Sequence, residues 1–174
     1  MVILIAGGTH TGKTRLAQRL VAEYGFFCLS IDHIKMGLIR SGYCALTPES
    51  NDEELTEYLW PVIREIIKTN IENSQDIIIE GCYIPFDWKK DFSLEYLPYI
   101  KYKCLIFTER YKNEHFDDII GHENDAEARL EGNSCEKESL IEGNTKNLDM
   151  CRKYGLEYVL SDDEYIPASR KNLF

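Results

Sequence analysis

Residues Gly7 to Thr14 read G-G-T-H-T-G-K-T and satisfy the pattern G-x-x-x-x-G-K-[ST]. Such a loop binds phosphate, because its backbone N–H groups point inward and the helix that follows adds partial positive charge. Gly7 and Gly12 permit positive φ and let the backbone approach a phosphate closely. Lys13 is expected to reach the β- and γ-phosphates of a nucleotide, and the Thr14 hydroxyl to ligate Mg²⁺. Thr9, His10, Thr11 and Arg15 complete the expected nucleotide-binding set. The motif needs a strand before it and a helix after it. The apolar run Val2-Ile3-Leu4-Ile5-Ala6 and the helical stretch Arg15 to Val21 supply both.

Two carboxylates follow later apolar runs. Leu29-Ser30-Ile31 leads into Asp32, and Ile77-Ile78-Ile79 leads into Glu80 and Gly81. In doubly wound sheets ligands bind beyond the carboxyl ends of the strands. Asp32 there is expected to orient an acceptor hydroxyl or take its proton, a role compatible with capping a helix. Glu80 occupies the position of a Walker B carboxylate that holds Mg²⁺ directly or through water. Arg40 either holds an anionic acceptor or is a C-terminal helix charge, and His33 reads as exposed helix surface. The segment Cys82-Tyr83-Ile84-Pro85-Phe86-Asp87-Trp88 is too aromatic for a solvated loop. It either walls an acceptor pocket, with Tyr83 against the substrate, or packs on a neighbouring helix. Phosphoryl transfer also needs cations over the transferring group. Lys13 is one; Arg110 and Arg129 are candidates for a mobile lid, with Arg152 beyond them.

The elements that must position these residues alternate β-rich runs with helices, the pattern of a parallel sheet covered on both faces. Strands are expected at Val2–Ala6, Phe26–Ser30, Asp76–Glu80, Lys101–Thr108 and Leu156–Leu160. A long helix is expected from Asp52 to about Asn73, where apolar residues recur at i, i+3 and i+4. Pro61 inside it predicts a kink or a break. Another helix is expected over Lys137–Tyr154, stopped by Gly155. Gly42 to Ser50 and the acidic stretch Glu109 to Gly132 read as inserted lobes.

With 174 residues, 44% hydrophobic and 29% charged, the chain is expected to form one globular domain over residues 1–174. A net charge of −10 without any basic cluster argues against nucleic-acid or anionic-membrane partners. Six cysteines without a C-x-x-C pair fit reduced thiols rather than a disulfide framework or zinc site. No signal peptide or membrane span is apparent, so a cytoplasmic protein is expected, as monomer or homodimer.

The three blocks Ile5–Thr14, Leu29–Arg40 and Ile77–Pro85 together resemble those of the phosphate-loop small-molecule and nucleotide kinases. That is the adenylate, shikimate and gluconate kinase-like group; the 2-phosphoglycerate kinase-like and zeta-toxin-like members are the most similar. The resemblance implies a three-layer α/β sandwich around a parallel five-stranded sheet in the order 2-3-1-4-5. It also implies an acceptor lobe at about residues 33–51 and a lid at about 109–132. The activity implied is transfer of the γ-phosphate of Mg-ATP to a hydroxyl or phosphate of a small-molecule acceptor. The chain lacks the dense lid arginines of nucleoside monophosphate kinases. A nucleoside or nucleotide kinase, a kinase of nucleotide sugars and a nucleotide-dependent switch or hydrolase are the alternatives. No guanine-reading N-K-x-D is present, and Asp118-Ile119-Ile120-Gly121 follows no strand.

Overall fold

Short, largely apolar runs form five strands: β1 Val2–Gly7, β2 Phe27–Ser30, β3 Ile77–Glu80, β4 Ile100–Phe107 and β5 Tyr158–Ser161. The structure, a computed structural model, describes residues 1–116, 119 and 137–162. The strands pair in the order β2-β3-β1-β4-β5, and every pairing is parallel. Ile5 lies opposite Glu80, and Glu80 opposite Ser30. The carboxyl ends of β1, β2 and β3 therefore lie together along one edge of the sheet.

Among the described residues, five α-helices connect the strands: α1 Lys13–Tyr24, α2 Ile31–Arg40, α3 Asp52–Glu72, α4 Glu109–Glu114 and α5 Lys137–Tyr154. Alternation along β1 sends its side chains to two cores. Ile3 and Ile5 pack with Leu16, Ala17 and Leu20 of α1 on one face. Val2, Leu4 and Ala6 pack with Leu55, Leu59, Ile63 and Ile67 of α3 and Cys151 of α5 on the other. Helices thus cover both faces, the arrangement that all-parallel sheets require. Each fully buried aliphatic side chain of this kind contributes roughly 1.5–3 kcal/mol of transfer free energy.

Pro61 does not break α3, which runs uninterrupted across it. The sequence expectation of a break fails because packing outweighs the local cost. Leu55, Leu59 and Trp60 before it, and Ile63 and Ile67 after it, are buried in one core, while Pro61 itself is exposed. Asn51 caps α3, its Oδ1 accepting from the N–H of Glu53 at 2.7 Å. Gly155 ends α5 with φ 59°. Among the described residues, no helix is long and apolar enough to cross a membrane.

Candidate active site

The loop between β1 and α1 holds three residues in the left-handed half of φ: Gly7 at 145°, His10 at 65° and Gly12 at 83°. Mixing left- and right-handed residues is how a backbone forms an anion nest. Gly7 is required on two counts. Besides its φ, a Cβ there would lie 2.7 Å from both the carbonyl oxygen of Leu105 and Oγ1 of Thr11. The loop folds back on its own Gly8 carbonyl, which accepts from Thr11 Oγ1 at 2.8 Å and from Lys13 Nζ at 2.8 Å. Thr11 and Lys13 are buried, Thr14 and Arg15 half-buried in the first turn of α1, and Thr9 exposed.

Lys13 is a buried cation among acids. Burial disfavours its charge, but Cys82, Glu80 and Asp32 outweigh that effect and carry its pKa above the ordinary 10.5. The ends of β2 and β3 thereby bring Asp32 and Glu80 within electrostatic reach of the loop lysine. Glu80 is 2% exposed. Gly81 lets α2 approach, because a Cβ there would lie 2.8 Å from Cβ of Ile31. Asp32 follows Ile31 in the first turn of α2.

A cleft of about 830 Å³ opens beside Gly7, Gly8 and Thr9. α3 contributes Asp52, Glu53, Thr56, Glu57, Trp60 and Pro61 to it; the segment after β3 contributes Cys82, Ile84, Pro85, Phe86 and Asp87. Asn144 and Asn147 of α5 close it opposite Gly8. The aromatic segment divides between this cleft and the interior. Phe86 lines the cleft, whereas Trp88 is buried against Phe92 and Tyr102.

Of the other expected site residues, those that follow do not line this cleft where the structure describes them. Arg40 is exposed in the last turn of α2, about 12 Å along the helix axis from Asp32. Arg110 is paired with Asp162, Nη2 to Oδ2 at 3.0 Å. The same carboxylate accepts from Thr108 Oγ1 at 2.8 Å, and that bond first, then Arg110, holds its pKa below the usual range. Arg152 lies exposed beside Asp149. Arg129, most of the expected lid and the Asp118–Gly121 motif lie outside the described residues. His33 is exposed, as its reading as helix surface requires. Tyr43, within the expected acceptor lobe, is 81% exposed.

Sequence reasoning missed Lys35, Cys82 and Asn144. Lys35 Nζ sits 2.7 Å from Asp32 Oδ1 and 2.9 Å from the Tyr83 hydroxyl. Its i, i+3 spacing from Asp32 was a usable signal. Cys82 lies within electrostatic reach of Lys13 and favours its charged form. Asn144 is 2% exposed and accepts from the N–H of Phe107 at 3.0 Å, a contact across 37 residues with no local signal.

Among the described residues, no group of three or more His, Cys, Asp or Glu forms a metal cage. Mg²⁺ needs no such cage, since it binds through one or two protein oxygens and completes its shell with waters and substrate phosphates. Thr14 and Glu80 supply such oxygens. The left-handed loop at the N-terminus of α1 and the buried ammonium of Lys13 fit a nucleotide's phosphates.

No family model and no curated protein matches the chain. Solved structures do. A shikimate kinase from Bacteroides thetaiotaomicron aligns over 98% of this chain and 89% of its own, with TM-score 0.57 and 14% identity. A gluconokinase from Sinorhizobium meliloti covers 97% and 83%, with TM-score 0.53 and 12% identity. A sugar kinase from a Janibacter species covers 92% and 84%, with TM-score 0.52 and 14% identity. With its parallel 2-3-1-4-5 sheet, the chain has the α/β fold of the phosphate-loop small-molecule kinases.

Proposed function

We propose that the protein is an ATP-dependent phosphotransferase that moves the γ-phosphate of Mg-ATP to a hydroxyl or phosphate of a small metabolite. The observation that carries this reading is the grouping of Asp32 and Glu80 about the loop lysine, Lys13, at the carboxyl edge of the sheet. Its fold neighbours titled shikimate kinase, gluconokinase and sugar kinase support the same class of reaction.

In this reading Lys13 leaves the Gly8 carbonyl and pairs with the β- and γ-phosphates, offsetting charge as the γ-phosphoryl group departs. Thr14 and Glu80 would hold Mg²⁺, which would supply positive charge to the phosphate oxygens. Asp32 accepts the proton of the acceptor hydroxyl as its oxygen bonds to phosphorus and the bond to the β-phosphate oxygen breaks, releasing ADP. The cleft between α3, the segment after β3 and α5 receives the acceptor. Asn144 and Asn147 offer it amide groups, and Trp60 and Phe86 an apolar wall.

The test is ADP release by purified protein with Mg-ATP across sugar acids, phosphorylated metabolites, amino alcohols, nucleosides and nucleotides, with Asp32→Ala alongside. Acceptor-dependent ADP release that the variant loses is the expected result. Tight Mg-ATP binding with no stimulation by any acceptor would overturn the small-metabolite reading and point to a nucleotide-dependent switch.

A further inference from the structure

We propose that Lys35 is a positioning residue for Asp32, with the Tyr83 hydroxyl as its second anchor; the role rests on the phosphotransfer reading above. Asp32 has one side-chain carboxylate in the first turn of α2, with 38% of the side chain exposed. Left alone, it would sample several staggered rotamers. Lys35 lies one turn later on the same face, and its side chain is only 12% exposed. Its ammonium joins Asp32 Oδ1 at 2.7 Å to the Tyr83 hydroxyl at 2.9 Å. Tyr83 is 6% exposed and belongs to the segment leaving β3. The bridge therefore ties the exit of β2 to the exit of β3 through groups 48 residues apart.

A surface pair at i, i+3 spacing is worth only a few tenths of a kcal/mol and would not fix a rotamer. This pair differs in burial and in having a third, buried partner. Burial works against the charge of Lys35, while its bonds to Asp32 and Tyr83 more than restore it, so the ammonium persists. With Oδ1 held by Lys35, Oδ2 is the oxygen left to meet the acceptor proton. Holding a reacting group near its attack geometry is worth orders of magnitude in rate, and small displacements forfeit it.

The test compares Lys35→Met, Lys35→Arg and Tyr83→Phe in the full chain, with whichever acceptor the ADP-release screen identifies. Lys35→Met is expected to lower kcat about 10- to 100-fold, while KM for ATP and acceptor stays within about twofold. Lys35→Arg should restore part of the loss, and Tyr83→Phe should lower kcat less than Lys35→Met. Unchanged kcat in Lys35→Met, or a raised acceptor KM at wild-type kcat, would overturn the proposal; the second would make Lys35 an acceptor-binding residue. A readout free of turnover separates this proposal from the kinase reading. Three-bond NMR couplings should show one χ1 rotamer for Asp32 in the wild type and averaging in Lys35→Met or, if that variant does not fold, in Tyr83→Phe. Equal couplings in wild type and variant would refute positioning even if catalysis is confirmed. Absence of turnover with every acceptor would refute the kinase reading alone.

Discussion

Lys13 combines burial, a resting bond to the Gly8 carbonyl and three acidic neighbours. Removing it takes one cation from beside Glu80 and Asp32, the latter keeping Lys35, and in the proposed reaction leaves the γ-phosphate without the loop's counter-charge. Lys13→Ala is expected to cut turnover by about two orders of magnitude or more, about 3 kcal/mol of transition-state stabilisation, read from steady-state ADP release. A loss below about tenfold would show that the reacting phosphate lies elsewhere. The sign of its pH dependence also follows. A lysine whose pKa rises on folding gives its full stabilisation below the unfolded value and loses it only as pH climbs through the folded one. Since that folded value lies above 10.5, the alkaline side of the rate profile should stay flat to about pH 9. An alkaline limb below that point that moves in Lys13→Arg would contradict the argument. Gly81 answers to sterics instead. Its missing side chain leaves room for Ile31, so Gly81→Ala should press on the start of α2. The expected cost is about 1–3 kcal/mol in urea unfolding, with kcat lowered through Asp32.

α3 is held by tertiary contacts against its own sequence. A proline in a helix interior costs about 3 kcal/mol relative to alanine, partly offset by its stiffening of the unfolded chain. Pro61→Ala should therefore raise stability by about 1–2 kcal/mol in chemical denaturation. A destabilised variant would mean that the cleft wall depends on the ring of Pro61. The same helix shows what could be read in advance. Its apolar spacing marked it, as strand ends marked Asp32 and Glu80, because both signals are local. The break expected at Pro61 was local too, and it lost to buried neighbours on either side. The Lys35–Tyr83 bond was hidden because it exists only once β2 and β3 lie side by side. Arg110 read as a lid cation for a similar reason. Its partner, Asp162, follows β5 and stands 52 residues away.

The molecule as a whole carries a charge of −10, yet its proposed ligand is a polyanion. Long-range attraction cannot bring the two together, so affinity must come from the loop: inward N–H groups, the start of α1 and Lys13. That makes binding depend on neutralising the phosphates, and hence on the metal. Because the loop exists only in the folded chain, ligand binding must also stabilise the fold by linkage. At a concentration about 100 times Kd, Mg-ATP should add about 2.7 kcal/mol. In a chain of this size that raises Tm by about 5 to 10 °C. Chelating Mg²⁺ should remove most of the shift, since ATP alone brings uncompensated charge to Glu80 and Asp32 at one edge of the sheet. Lys13→Ala should remove most of it as well, and should also lower the unliganded Tm, because the buried Glu80 loses a cation whose charge the folded state favours. Differential scanning fluorimetry with ATP, Mg-ATP and Mg-GTP reads all of this in one experiment. Equal shifts with and without Mg²⁺ would place the phosphates away from Thr14 and Glu80, and a larger shift with GTP would reverse the choice of nucleotide.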